Sequence, residues 1–358
     1  MGGARAVAFK DPSRVRILPK LGIETGRRAR VIYAPMSLTI WCNALFNPAA
    51  TAMLAAGTRG HKLVVSTQAS TNVLQAGAPD PALAEADVAF GQPVAAECLR
   101  NPRIKWVEVN SAGYTRFDTP EFMEAFRARG SVFTNASQVF ADSCAQHALA
   151  MMLALGRNLL ASHRDQLTDH GWHYTERRYA CRLLTGQTVL LLGYGAIGRR
   201  LAELLAPFGV TIYAVRRQTR SEKGVRIIPE EKLSSVLGEA DHVVNILPDN
   251  AATRGYVNAR RLACFKPGAR FYNIGRGTTV DDQALLAALN SGRLGAAYLD
   301  VFEPEPLDPA HPFWTTPNCY VTCHTAGGRS DQDEALVKHF LHNLTAFTSG
   351  GTMIDRVV

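Results

Sequence analysis

The chain has no uninterrupted apolar run long enough to span a bilayer. Its start lacks the apolar core that a signal peptide needs. Membrane insertion and export are therefore disfavoured, and a cytoplasmic location is expected. Cysteine is sparse: seven residues, odd in number and widely scattered, do not make a disulfide framework. They read as reduced packing thiols. Cys319 and Cys323 stand close to His324 and hint at a metal, but no second ligand cluster completes a site, so no metal is expected. Low-complexity tracts and internal repeats are also missing. The formal charge of +8 does not describe a basic folded face, because residues 1–30 hold eight Lys/Arg against Asp11 and Glu24. That segment is expected to be a basic, flexible leader, and nucleic-acid binding is not expected of the rest.

What the chain does contain is a hydrophobic fraction of 47% over 358 residues, enough for two ordinary globular domains. The stretch that organises it is 188–214. Val189–Leu192 is a buried-strand run, and it turns through Gly193, Gly195 and Gly198. Ile197, Leu201, Leu204, Leu205 and Phe208 then recur at helical spacing, Gly209 stops the helix, and Val210–Val215 reads as a second strand. A strand, a Gly-x-Gly-x-x-Gly turn and a helix in this order form the fingerprint of a dinucleotide site. Gly193 permits the turn, Gly195 lets a pyrophosphate approach the backbone, and Gly198 lets the helix pack on the strand. Ala196 and Ile197 supply free N–H groups at the positive end of the helix dipole.

Before this unit, strands are expected at Val31–Ala34, Lys62–Val65, Asp87–Phe90 and Ile104–Val109, with a helix over Asn47–Ala56. Alternation of this kind predicts a small parallel sheet flanked by helices, without a nucleotide fingerprint and so suited to a substrate. One long helix is expected from Asp142 to about Arg164, followed by a His-, Arg- and Tyr-rich arm whose largest apolar group is Trp172. Further strands are expected near His242–Leu247, Ala269–Ile274, Ala296–Asp300 and Cys319–Thr322. Helices are expected at Asp281–Asn290 and Asp331–Phe347.

Three charged residues follow expected strands in the second half: Arg276, Glu305 and His324. The carboxyl ends of parallel strands are where open α/β sheets place ligand chemistry. A histidine paired with a carboxylate can deliver a proton near neutrality, and an arginine can hold a carboxylate through paired hydrogen bonds. Together they meet the needs of reversible 2-oxo acid reduction.

The text GYGAIG, NIGRGTTVDDQALLAALNSGRLGAAYLDVFEPEPL and PNCYVTCHTAGG resembles the D-isomer-specific 2-hydroxyacid dehydrogenase family, which includes glyoxylate/hydroxypyruvate reductases and phosphoglycerate dehydrogenases. The resemblance runs from about Ala86 to Thr345. It implies two Rossmann-like, doubly wound parallel-sheet α/β domains with the active site in the cleft between them. The expected division is 31–141 with 327–358 for substrate and 142–326 for the dinucleotide. By resemblance, Arg276 takes the substrate carboxylate, Glu305 partners the histidine and His324 is the acid/base. Asp300 falls where the family contacts the nicotinamide, Pro248 borders the cofactor, and Ala112 and Gly113 present N–H groups to the carboxylate. The resemblance also implies a homodimer and a small 2-oxo or 2-hydroxy acid as substrate.

Some positions depart from the family pattern. Arg216, followed by Arg217, stands where NAD-preferring members carry Asp, so NADP(H) is expected to be preferred and NAD(H) tolerated. Pro-Asp-Asn-Ala-Ala-Thr replaces the commoner Pro-Leu-Thr-Pro-Glu-Thr in a cofactor-facing loop. The rival reading is a non-catalytic dinucleotide-sensing interaction protein of the same fold, since some such relatives retain the three charged residues.

Overall fold

Among the described residues twelve strands build two sheets, and every pairing within them is parallel. They are β1 (Thr39–Ala44), β2 (Lys62–Ser70), β3 (Val88–Gly91), β4 (Trp106–Val109), β5 (Val132–Thr134), β6 (Thr188–Leu192), β7 (Thr211–Val215), β8 (Arg226–Ile228), β9 (His242–Asn245), β10 (Ala269–Asn273), β11 (Leu294–Leu299) and β12 (Cys319–Val321). The computed structural model describes residues 37–70, 77–216 and 222–358. The leader 1–30, the strand expected at Val31–Ala34 and Arg217 lie outside them.

The first sheet has the order β2-β1-β3-β4-β5, and the second β12-β11-β10-β9-β6-β7-β8. Each is doubly wound, and each has a point where the strand order reverses, between β1 and β3 and between β6 and β9. Such switch points open a crevice at the carboxyl ends of the strands. Val189, Leu190 and Leu191 in β6 are fully buried because helices cover both faces of a parallel sheet. The interior strand β1, Thr-Ile-Trp-Cys-Asn-Ala, was not expected: it mixes polar and bulky apolar residues without alternation. The three-residue strands β5 and β8 are too short to show a period.

The expected single helix over 142–164 is two helices, Ser137–Gly156 and Leu159–Leu167. Between them Asn158 takes φ +56°, a left-handed value that stops the first helix. Ser137–Gly156 is long and apolar enough to cross a membrane by length and composition alone. Its Ala145, Ala148 and Met152 share a core with Leu201, Ala202 and Leu205 of helix Ala196–Leu205, which makes it a packing helix of this fold. The small alanines let the two helices approach closely.

The closing helix, Gln332–Ser349, returns to the first sheet. The Phe340 ring stacks on Phe90 at 4.2 Å and on Trp106 at 5.0 Å. Beside it lies a buried ionic cluster. His339 Nδ1 is 3.0 Å from Glu108 Oε1 and Nε2 is 3.1 Å from Asp355 Oδ2. Asn343 and Thr134 also donate to Glu108, at 2.8 and 2.9 Å, so the buried carboxylate is well supplied. Asp355 accepts the backbone N–H of Gln138 at 2.6 Å, which ties the chain terminus to the start of helix Ser137–Gly156. Burial opposes the charged imidazole, yet its hydrogen bonds to the two carboxylates, which accept them, outweigh it and raise the His339 pKa from 6.5 to about 9.

A raised pKa means that protonation favours the folded state. This contribution is complete below the ordinary histidine value of 6.5 and drains away as pH rises through about 9. Replacing His339 by Ala leaves two buried carboxylates without their cation and should cost about 3–5 kcal/mol near neutrality. Urea unfolding of wild type and His339→Ala across this pH window checks it. The difference between the two should shrink on the alkaline side; a constant difference would mean that the imidazolium is not the stabilising form.

Candidate active site

Three loops at the carboxyl ends of β10, β11 and β12 carry the charged residues. Arg276 follows β10. The buried Asn245 and Asn273, at the ends of β9 and β10, fix its backbone: Asn245 Nδ2 donates to Asn273 Oδ1 at 2.9 Å, and Asn273 Nδ2 donates to the Arg276 carbonyl at 3.2 Å. Thr279 Oγ1 donates to the same carbonyl at 2.6 Å. Burial lowers the Arg276 pKa, while Glu305 is the foremost of the charges opposing that change.

His324 follows β12 with φ +56°, a strained value for a non-glycine residue. Asp300, only 1% exposed, over-determines that turn. The His324 N–H donates to the Asp300 carbonyl at 2.8 Å. The Asp300 carboxylate accepts from Thr322 Oγ1 at 2.5 Å, Thr325 N at 2.8 Å and Ala326 N at 2.9 Å. Tyr298 Oη lies 2.5 Å from both Thr322 Oγ1 and His147 Nε2, which extends the network into helix Ser137–Gly156. The imidazole is thereby aimed at Glu305, with Nδ1 to Oε2 at 2.8 Å. The other Glu305 oxygen accepts the Phe302 N–H at 2.9 Å. Burial raises the Glu305 pKa, but the hydrogen bonds from His324 and Phe302 and the nearby Arg276 charge prevail and leave it below its ordinary value. The carboxylate is therefore ionised at neutrality and accepts from Nδ1–H, which leaves Nε2 as the atom able to hold or release a proton. Arg276, Glu305 and His324 line one cavity of about 650 Å³, whose walls include Phe302, Leu307 and Trp314.

The glycine turn opens on a second cavity of about 790 Å³, bordered by Gly193, Gly195, Arg216, Pro248 and Tyr256. Gly193 has φ +98°, and a Cβ there would stand 3.2 Å from the Ile246 carbonyl oxygen. A Cβ on Gly198 would stand 2.9 Å from the Gly193 carbonyl oxygen, so turn and helix can close only around glycine. Gly195, with open space before it, begins helix Ala196–Leu205, whose first turn has no side-chain cap. Uncapped N–H groups beside an open cradle fit the pyrophosphate of a dinucleotide. Arg216, at the end of β7, reaches Glu222 at 3.7 Å, so an acidic side chain does stand close to the position expected to meet the ribose.

The first sheet closes the site from the other side. A Cβ on Gly113 would collide with the Arg276 guanidinium, so the loop after β4 lies directly against the arginine. Asn135 Nδ2 donates to the neighbouring Ala112 carbonyl at 2.7 Å. Thr115 Oγ1 donates to the Asp249 carbonyl at 3.2 Å, and Asn250 Nδ2 to Asp118 at 3.3 Å, so the loops of the two sheets touch across the cleft.

Ala112, Gly113, Arg276, Glu305 and His324 thus converge from two sheets. Gly193, Gly195, Ala196, Ile197, Gly198, Arg216 and Pro248 gather at the second cavity or its helix. Asp300 spends its carboxylate on the His324 turn. Trp172 projects from the arm, 92% exposed. Asp165, Asp169 and His173 cluster on the same arm, but Arg177 and the cluster itself occupy them. Sequence reading missed Tyr298 and Thr322, and the one available signal was position, since Thr322 directly follows a strand.

A family model described as D-isomer specific 2-hydroxyacid dehydrogenase, NAD binding domain, matches residues 149–326. A glyoxylate reductase of Pyrococcus furiosus is 32% identical over 261 residues, covering 70% of this chain and 74% of that one. A D-isomer specific 2-hydroxyacid dehydrogenase from Xanthobacter autotrophicus Py2, solved in complex with NADPH, superposes with a TM-score of 0.74 at 27% identity, covering 90% and 98% of the two chains. An NADPH-dependent glyoxylate/hydroxypyruvate reductase from Sinorhizobium meliloti, solved with NADP and sulfate, gives 0.72 at 26% identity over the same shares.

Proposed function

Since the chain belongs to the D-isomer specific 2-hydroxyacid dehydrogenase family, we propose that it reduces a small 2-oxo acid of the glyoxylate or hydroxypyruvate kind to the D-2-hydroxy acid, with NADP(H) preferred over NAD(H). It is an NAD(P)-dependent oxidoreductase acting on CH–OH donors. The observation that carries the substrate class is the meeting of Arg276 with the 2.8 Å His324–Glu305 pair in one cavity.

Arg276 pairs with the substrate carboxylate and holds the 2-oxo group before His324, while the Ala112 and Gly113 N–H groups approach the same carboxylate from the first sheet. Gly193, Gly195, Ala196, Ile197, Gly198, Arg216 and Pro248 would hold a nicotinamide dinucleotide, which would supply the hydride. Protonated His324 gives its Nε2 proton to the oxygen at C2 as charge develops there, and ionised Glu305 stabilises the imidazolium beforehand. Arg276 offsets the same developing charge. Asp300 serves this chemistry by holding the His324 turn.

Cofactor preference rests on Arg216, with Arg217 added from sequence alone. An acidic residue at this place would accept the ribose hydroxyls and repel a 2′-phosphate, whereas arginine pairs with that phosphate. Glu222 is a long-range partner at 3.7 Å, and a phosphate brings a stronger one. A homodimer through the helices of 137–167 and the following arm is supported by the exposed Leu159, Leu167, Trp172 and Tyr179, an apolar group that solvent does not favour. Seven free cysteines agree with a reducing, cytoplasmic setting.

Replacing His324 by Ala should lower kcat by about 10²–10⁴-fold with dinucleotide affinity unchanged. Steady-state kinetics on glyoxylate and hydroxypyruvate with a fluorescence titration of NADPH measures both, and a dinucleotide-binding protein that turns over no 2-oxo acid would instead be a sensor. Wild type should favour NADPH over NADH in kcat/KM by about 10–100-fold, the worth of one charged hydrogen bond of about 1.5–3 kcal/mol. Arg216→Asp should erase or reverse that ratio; an unmoved ratio refutes the assignment. Light scattering should return twice the 38.9 kDa chain mass, and an active monomer would refute the dimer.

A further inference from the structure

A single buried amide organises the loop that faces Arg276. Gln92, 2% exposed, directly follows β3. Its backbone is clamped by Asn43 of β1: the Gln92 N–H donates to Asn43 Oδ1 at 2.8 Å, and its carbonyl accepts from Asn43 Nδ2 at 3.1 Å. From this fixed base the side chain reaches the loop after β4. Gln92 Nε2 donates to Asn110 Oδ1 at 2.7 Å and to Ser111 Oγ at 3.1 Å, and Gln92 Oε1 accepts from Arg116 Nη2. Ser111 Oγ passes the constraint on, donating to the Gly113 carbonyl at 2.7 Å. One planar group thus ties both flanks of the Ala112–Gly113 turn.

We propose that Gln92 is a positioning residue for substrate: it sets where the Ala112 and Gly113 N–H groups stand relative to Arg276. This rests on the function proposed above. The chemistry demands an amide, because only an amide offers donors and an acceptor in one rigid plane. Glutamate keeps the acceptor for Arg116 but loses both donors, and leucine removes the donors to the buried Asn110 and Ser111 side chains as well as the acceptor for Arg116. Backbone donors act on a carboxylate only while prepositioned, so a small displacement of the loop weakens substrate binding without touching the dinucleotide cavity.

The test compares wild type, Gln92→Leu, Gln92→Glu and Ser111→Ala. The readouts are kcat and KM for the 2-oxo acid, NADPH affinity by fluorescence, and affinity for oxamate, an unreducible 2-oxo acid mimic. Gln92→Leu should raise KM and the oxamate Kd by about 10-fold or more, with kcat reduced less and the NADPH Kd held within about twofold. Gln92→Glu should fall between it and wild type. A residue of merely structural importance would move thermal stability and all the constants together, and that pattern would overturn the proposal. KM and oxamate affinity both within about twofold of wild type would overturn it as well. Should Gln92→Leu fail to fold, Ser111→Ala removes the hydroxyl that accepts from Gln92 and relays to Gly113, while keeping the Gln92 contacts with Asn110 and Arg116, and should raise KM by about threefold or more; no rise would refute the role. If wild type reduces no 2-oxo acid, the proposed function falls, and oxamate affinity in the same variants still decides for or against Gln92.

Discussion

The carboxylate of Asp300 is the constraint on which the reaction geometry depends. It lies buried beyond β11 and faces its own chain, taking hydrogen bonds from Thr322, Thr325 and Ala326. A buried charge is costly unless its lone pairs are filled, and here filling them requires the chain after β12 to fold back as it does. His324 pays for that turn with a left-handed backbone and gains a fixed direction toward Glu305. Without the carboxylate the turn would lose the partners that hold its strain, and the imidazole would lose its aim. The extension through Thr322, Tyr298 and His147 anchors the same point to helix Ser137–Gly156, which packs on the helix of the glycine turn. The His324–Glu305 pair and the glycine turn therefore share one support.

The opposite wall is assembled by different means. β3 and β4 end on Gln92 and on the loop 110–113, and a network of amides and hydroxyls with the Arg116 guanidinium sets the shape of that loop. Behind it, His339 between Glu108 and Asp355 secures the closing helix and the chain terminus, while Phe340 fills the space against Phe90 and Trp106. The contact of Asp355 with Gln138 brings this cluster to the segment where the chain passes from one sheet to the other. Buried charge thus holds the two walls at Asp300 and at His339. In both places every buried carboxylate has enough donors to offset its desolvation.

Much of this was legible in the residues. The glycine turn between Val189–Leu192 and the amphipathic helix announced its strand–turn–helix unit because glycine spacing and a 3.6-residue period are local properties. Arg276, Glu305 and His324 could be singled out because each follows a recognisable strand within a distinctive motif. The long helix was misread as continuous because Asn158 breaks it through one backbone torsion, and a composition of alanine and leucine on both sides hides such a break. β1 escaped because a strand enclosed on both faces owes its identity to its neighbours more than to its own pattern.

The sequence by itself determined the parallel α/β character, the location of the dinucleotide turn and the identity of the charged residues, since these depend on short-range periodicity and on what each side chain can do chemically. Tertiary structure alone decided which loops meet. It set Gly113 against Arg276 across the cleft, turned the Asp300 carboxylate inward to its own chain, brought Glu222 to Arg216 and made Gln92 the hub of a loop nearly twenty positions further on. Hydrogen bonds between residues distant in sequence leave no period to read. They exist only once two sheets have fixed the ends of their strands side by side.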